Sequence, residues 1–318
     1  MARAGVWGRV RAVRKGAVMG KRALGAAAVA AGVVAGVGAA ACALVAPRRS
    51  AEVDARWRDF CRYRYAHRGL HAAGVPENSL AAFKAARREG YGVELDVHLT
   101  LDGELVVIHD SETARVCGRA GVVEEKSLAE LGEYRLMGTD ECIPTLDEAL
   151  DVFDPAFGAS EGYPAAAPLI VEIKPAAGNA ALLTELTLAC LDRHDVRFCV
   201  ESFQPEVLAW LRSHRPDVIR GQLAENFLAQ AGHEVSLSWP MRLGGTALLG
   251  NAFGRPDFVA YKFSDRNVAP VRLACGVLGG HLVTWTVRSE ADLLASEAEG
   301  APVIFEGFLP GPASTIVC

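Results

Sequence analysis

Two pairs of charged residues in this chain stand two positions apart inside runs otherwise written in valine, isoleucine and leucine. They are Glu94 and Asp96 in GVELDV, and Glu172 and Lys174 in PLIVEIK. In an extended strand, residues two apart point to the same side. Burying such charges without partners is costly, and a hard metal ion is a partner that three carboxylates suit. Glu94, Asp96 and Glu172 make an oxygen-rich set of the kind that takes Mg²⁺ or Ca²⁺ rather than zinc. For Glu172 and Lys174 taken alone, a plain ion pair at a strand end explains the spacing equally well.

His67 and His109 each end an apolar run. Histidine titrates near neutrality and can serve as acid or base at working pH. One histidine at a strand end is most often structural, but two bracketing a carboxylate pair suggest a proton-transfer pair. His98 shares the face of Glu94 and Asp96 but lies in the link beyond the strand, and His71 lies in a loop. Both are expected to be peripheral.

The elements that position these residues alternate. Short apolar or β-branched runs (YRYAH, GVELDV, ELVVIHD, PLIVEIK, RFCVESF, VIRGQL, DFVAYKF, HLVTWTV and PVIFEGF) are separated by helical stretches. That rhythm is βαβ, with strands buried on both faces. SLAAFKAARREG reads as a helix ending at Gly90, and TLDEALDVF opens with Thr145 and Glu148 in capping-box spacing. Residues 60–318 are close to the roughly 250 residues of an eight-stranded β/α barrel, although nine candidate strands are one too many. No Gly-rich nucleotide loop follows the first strand, which disfavours a doubly wound sheet. HLTLDG is too short for a crossover helix. It is expected to descend from the top of the barrel to its bottom as a helix-free link turning at Asp102-Gly103, making the second unit distorted.

The start of the chain has a different character. Residues 1–22 hold Arg3, Arg9, Arg11, Arg14, Lys15, Lys21 and Arg22 and no acid, seven of the 33 basic groups in the chain. Residues 23–46 carry no charge. At about 1.5 Å per helical residue they are long enough to cross a hydrocarbon core of roughly 30 Å. The reading is a basic cytoplasmic arm (1–22), a transmembrane anchor (23–46), a linker (47–59) and an extracytoplasmic body (60–318), as the excess of positive charge before the span implies. Ala41 and Ala43 supply an A-x-A-like site, so a cleaved signal segment and a secreted body are the alternative. Without its first 22 residues the chain has 26 basic groups against 38 acidic ones, which argues against a nucleic-acid partner. The eight cysteines form no CxxC pair, so zinc is not supported, and most are expected to be small buried residues.

Taken in order, AHRG, ENSLAAF, ELDVHLTLDGELVVIHD, IPTLDEAL, VEIK, SF and WTV resemble the glycerophosphodiester phosphodiesterase family, over roughly His67 to Val287. The resemblance implies a distorted (β/α)8 TIM barrel and metal-dependent hydrolysis of a glycerophosphodiester to glycerol 3-phosphate and an alcohol. It matches His67 and His109 to the acid–base pair, and Glu94, Asp96 and Glu172 to the ligands of one divalent cation, Mg²⁺ or Ca²⁺. Arg68 and Lys174 match the phosphate-facing cations, and Trp285 an aromatic flanking the substrate. The nucleophile is water, or the substrate's own glycerol hydroxyl through a cyclic phosphate, and the two histidines take either order.

The chain departs from the family pattern at IFEGFLP, where a Thr-Asp- or Thr-Asn-like turn before proline is usual, which bears on the rim of the pocket. Glu201 beside Ser202 and Phe203 is expected to be a rim charge, and residues 110–165 include an insertion that shapes substrate access. A lysophospholipase D or phospholipase acting on lipid phosphodiesters, and an enzyme acting on a glycerol-phosphate polymer of a cell wall, keep the same residues with another substrate. A non-catalytic membrane-tethered binding barrel is expected to show gaps among His67, Glu94, Asp96, His109 and Glu172, and none is missing.

Overall fold

In a computed structural model, residues 38–317 are described, apart from 41, 159–161, 177, 230–236 and 312. The basic arm lies outside the described residues, as do residues 23–37 and 41 of the expected anchor. Among the described residues no helix is long and apolar enough to cross a membrane.

Among the described residues nine strands form one sheet: β1 (Tyr65–His67), β2 (Gly92–Leu99), β3 (Leu105–Val107), β4 (Leu169–Ile173), β5 (Phe198–Ser202), β6 (Arg220–Ala224), β7 (Phe258–Lys262), β8 (His281–Val287) and β9 (Val303–Phe305). All except β3 run parallel, and β1 pairs with both β2 and β9, which closes an eight-stranded barrel. The surplus strand is β3. Val97 pairs with Val107 and Leu99 with Leu105 in an antiparallel hairpin, so the expected descent to the barrel bottom does not occur. A parallel neighbour needs a long return path, whereas an antiparallel one needs only a turn. The turn is Thr100–Gly103, where Thr100 Oγ1 donates to Asp102 and Gly103 takes φ +87°. The hairpin thus rises from β2 and returns to the rim from which it left.

The helix Leu80–Arg88 connects β1 to β2. It starts because the Ser79 side chain accepts from Ala82 N, and it gives way to Gly90 at φ +77°. The Thr145–Glu148 capping box forms in full. Helices Ala180–Leu191, Pro205–His214 and Glu290–Ala298 cover the barrel after β4, β5 and β8. Between strands and helices lies a core including Phe83, Leu95, Val171, Val200, Leu208 and Leu293. Residues inside the barrel, among them Tyr65, Ile170, Cys199, Phe258 and Val283, form a second core. The helix Ala51–Trp57 closes its lower end: Trp57 packs 5.1 Å from the Phe258 ring and 4.8 Å from His281, the first residues of β7 and β8. The opposite end, at the strand C-termini, stays open, as is usual for the functional face of such a barrel.

The segment after β3 has its own small core of Val106, Ile108, Val116, Val123, Leu131, Tyr134, Leu136 and Ile143. Of the expected buried cysteines, Cys190 and Cys199 are buried and free, whereas Cys117, Cys142 and Cys275 are half-buried. Cys61 is buried and disulfide-bonded.

Candidate active site at the barrel mouth

Strand parity places the carboxylates as expected. Asp96 pairs with Glu172 across β2 and β4, and Glu172 with Glu201 across β4 and β5. In parallel neighbours such partners face the same way, here inward. Glu94, Asp96 and Glu172 are all buried, with ligand oxygens within 4.8 Å of one another. Lys174 bridges two of them, at 2.8 Å from Glu172 and 3.3 Å from Asp96. Its ammonium is therefore held above its usual range, because Glu172 and Asp96 outweigh the cost of burial.

The three carboxylates do not share one electrostatic fate. Burial, then Asp96 and Glu172, push Glu94 well above the usual carboxylate range. Burial also raises Glu172, only partly offset by Lys174. Asp96 lies well below its ordinary value. Burial opposes this, but Lys174, His109, Arg68 and a hydrogen bond from Asn78 Nδ2 at 2.7 Å overcome it. Such crowded buried carboxylates are the arrangement that a divalent cation stabilises, since it favours the ionised form of all three at once. Asp96 Oδ1 is buried and makes no hydrogen bond beyond the 3.3 Å ion pair with Lys174, and an all-oxygen set fits Mg²⁺ or Ca²⁺.

Arg68 adopts φ +55° and Gly69 φ +82°. A Cβ on Gly69 would lie 2.8 Å from Ala82 Cβ, so only glycine permits this tight exit from β1. The left-handed Arg68 backbone is strained, and its contacts offset the strain. Its N–H donates to Glu94 Oε2 at 3.2 Å, and its guanidinium meets Glu77 at 2.8 Å and Asp96 at 3.4 Å. Arg115, from the segment after β3, joins Glu77 to Asp110, tying that segment to the rim.

Both histidines reach this mouth. His67 Nδ1 is 2.5 Å from Glu306 Oε2, and its Nε2 is 3.9 Å from Glu94. Since a carboxylate only accepts, Nδ1 carries the proton and the Nε2 lone pair faces the carboxylates. Burial lowers the His67 pKa despite the opposing bond to Glu306. His109 repeats the pattern, with Nδ1 2.5 Å from Asp110 Oδ1. It arrives by the hairpin, because Ile108 N donates to Asp96 O, and not at the end of a barrel strand.

Three residues differ from the sequence reading. Glu201 is no rim charge: it is 1% exposed, its Oε2 lacks a hydrogen bond, and burial beside Glu172 and Asp96 raises its pKa well above the usual range. The matching place of the glutamate in LIVEI and FCVES, each directly after valine, was the available signal. His98 is buried rather than peripheral, with Nδ1 2.7 Å from Glu124 and Nε2 3.2 Å from the His109 carbonyl; it holds the backbone of His109. Glu306, part of the departure at the last strand, orients His67 and is itself held by Arg288 Nε at 2.7 Å. His71 approaches Glu306 at 3.8 Å. Trp285 lies on β8 opposite Lys262, edge-on to Phe203 with ring centroids 5.7 Å apart.

Comparison with known proteins agrees in fold and motif. Residues 67–260 match the model of the glycerophosphoryl diester phosphodiesterase family. A glycerophosphodiester phosphodiesterase of Caldanaerobacter subterraneus subsp. tengcongensis is 43% identical over 94 residues, 27% of this chain and 38% of that protein. A probable glycerophosphodiester phosphodiesterase 1 of Mycobacterium tuberculosis is 51% identical over 69 residues, 21% of this chain and 25% of that one. The match thus spans well under half the length of these two relatives. A solved phosphodiesterase of Oleispira antarctica, in complex with the product sn-glycerol-3-phosphate, is 25% identical with a TM-score of 0.59, covering 77% of this chain and 92% of that one.

Proposed function

The chain belongs to the glycerophosphoryl diester phosphodiesterase family, and we propose that it hydrolyses glycerophosphodiesters to glycerol 3-phosphate and an alcohol with the aid of one divalent cation. The observation that carries this reading is the mouth itself: three buried carboxylates flanked by two histidines, each with Nδ1 held by a separate carboxylate. Glu94, Asp96 and Glu172 would hold the cation, Mg²⁺ or Ca²⁺. When bound, it would supply positive charge to the non-bridging phosphate oxygens, where charge grows in the transition state.

The residues of the chain do the rest. Arg68 and Lys174 offer further positive charge to the phosphate. With Nδ1 protonated, each histidine presents Nε2 inward; one takes the proton of the attacking hydroxyl and the other gives a proton to the departing alkoxide. Trp285 forms an apolar wall beside the glycerol. The attacking hydroxyl belongs to water or to the glycerol of the substrate, and trapping of a cyclic phosphate separates the two routes. Incubating the full chain with glycerophosphocholine and Mg²⁺ or Ca²⁺ tests the proposal. Release of glycerol 3-phosphate and choline is expected, and absence of both with either ion would sink the reading.

The seven positive charges of residues 1–22, followed by the uncharged stretch 23–46, support a single-pass anchor with the barrel outside the cell membrane. Fractionation of cells expressing the full chain and a chain lacking residues 1–46 checks this. The full chain is expected in the membrane fraction and digestible by external protease; a soluble, protected full chain would overturn it.

A further inference from the structure

Asp147 and Asp151 stand four positions apart on the helix Leu146–Asp151, and Cys190 and His194 stand four positions apart where the helix Ala180–Leu191 ends. The two helices are neighbours in the outer layer of the barrel. Beyond Leu191 the chain keeps turning, with Arg193 N–H donating to Cys190 O and His194 N–H to Leu191 O, so His194 stays on the side of Cys190. Residues four apart share a helix face, and here the two faces meet. His194 Nε2 is 2.9 Å from Asp147 Oδ1, and Cys190 Sγ is 3.4 Å from the same oxygen. The ligand atoms of Asp147, Cys190 and His194 all lie within 4.8 Å of one another. None of these residues belongs to the mouth.

The chemistry of this set differs from that of the mouth. A thiol, an imidazole and a carboxylate together suit a borderline ion such as Zn²⁺, whereas Mg²⁺ and Ca²⁺ take oxygen ligands. With bonds of about 2.0–2.1 Å to nitrogen and oxygen and about 2.3 Å to sulfur, tetrahedral ligands stand about 3.3–3.6 Å apart. The observed 2.9 and 3.4 Å need only small shifts. The neighbouring groups are placed as supports. His194 Nδ1 faces Asp151 Oδ1 at 3.6 Å, the carboxylate–histidine arrangement that orients a metal-bound ring. Arg193 Nη2 lies 2.9 Å from Asp147 Oδ1 and 3.1 Å from Oδ2; by keeping Oδ2 it leaves Oδ1 to an ion. Cys190 is buried within the core, and burial, then Asp147, push its thiol up to about 12. It is therefore no free nucleophile at working pH, and a cation in place of its proton makes it a ligand. A set divided between two helices leaves no CxxC spacing in the sequence.

We propose that Asp147, Cys190 and His194 form a thiolate-containing metal site on the outside of the barrel, which binds one Zn²⁺ with water in the fourth position and clamps the two helices together. Asp147 Oδ1, the Cys190 thiolate and His194 Nε2 bond to the ion, while the imidazole proton sits on Nδ1 and faces Asp151. Binding forms these three bonds and releases the Cys190 proton to solvent. A doubly charged ion then meets one thiolate and one carboxylate, so the site is neutral. It stands independently of the reaction given under Proposed function.

The test titrates the full chain with Co²⁺, whose bond to a thiolate gives a charge-transfer band in the near ultraviolet and whose tetrahedral complexes absorb strongly in the visible. One equivalent is expected to produce both signals, and Zn²⁺ to remove them by displacement. The oxygen ligands of the mouth offer no thiolate, so Co²⁺ held there does not imitate the charge-transfer band. Cys190→Ser should abolish that band. Asp151→Asn should weaken Co²⁺ binding by about tenfold, the effect of losing the partner that orients a ligand histidine, and His194→Gln by more. His194→Gln, which removes a ligand without touching the core, decides the matter should the buried serine disturb folding. Absence of a thiolate band in the unaltered chain would overturn the site. So would a band that persists in Cys190→Ser, or an affinity unchanged in His194→Gln.

Discussion

His67 and Glu306 lie 239 positions apart in the chain and meet across the closure of the barrel, with Nδ1 and Oε2 separated by 2.5 Å. β1 and β9 are neighbours only because the sheet closes. Glu306 follows β9 and reaches the ring at the end of β1, while Arg288 restrains its other oxygen. Burial opposes an ionised Glu306, but His67, His71 and Arg288 hold its pKa well below the usual range, so it accepts throughout the working pH range.

Glu306→Gln should therefore lower kcat by about tenfold to a hundredfold with little change in KM, the magnitude seen when the orienting partner of a functional histidine is lost. Glu306→Asp should recover part of the loss. Steady-state kinetics on the three forms decide it; an unchanged kcat for the glutamine variant would mean that His67 needs no orientation from this side.

Chelation should abolish turnover, and added Mg²⁺ or Ca²⁺ should restore it. Asp96→Asn removes a ligand charge and a partner of both Lys174 and Arg68, so it should weaken divalent-ion binding by at least about tenfold. Calorimetric titration with Mn²⁺ reads this without reference to activity. Equal affinity in both forms would move the ion elsewhere.

His109→Ala is expected to cost about a hundredfold to ten-thousandfold in kcat, the usual worth of a positioned acid or base. Among the described residues the His109 side chain bonds only to Asp110, so the thermal midpoint should change little. Full retention of activity would exclude His109 from proton transfer.

Stability at acid pH should depend on Arg64 and Glu297, a buried pair 2.8 Å apart that ties the start of β1 to the helix Glu290–Ala298. Burial opposes ionisation of Glu297, but Arg64 and Thr315 hold its pKa below the ordinary value. Its contribution is therefore present above the unfolded carboxylate pKa of about 4.3 and fades as pH falls through the lower folded value. Glu297→Gln leaves Arg64 buried with no counter-charge and should destabilise by about 3 kcal/mol at neutral pH, with a shallower loss on acidification. Urea unfolding at pH 7 and pH 4 measures both; parallel curves for the two proteins would contradict the assignment.

The residues themselves made much of the mouth legible. Glu94, Asp96, Glu172 and Lys174 declare themselves as charges at period two in apolar runs, and local periodicity determines which face of a strand a side chain takes. The βαβ rhythm likewise announced the barrel, and Ser79, Thr145 and Gly90 marked helix ends through capping chemistry that involves only near neighbours.

What only the tertiary structure decided is who stands beside whom. The chain alone presents ELVVIHD as one strand among nine, and pairing with β2 makes it an antiparallel arm. Glu201 reads as a rim charge until its register with Glu172 is known. His98 and Glu306 acquire their roles from His109 and His67 through contacts that no periodicity encodes. The reason is physical: strand geometry repeats every two residues and can be read locally, whereas register and closure are set by packing the whole barrel at once.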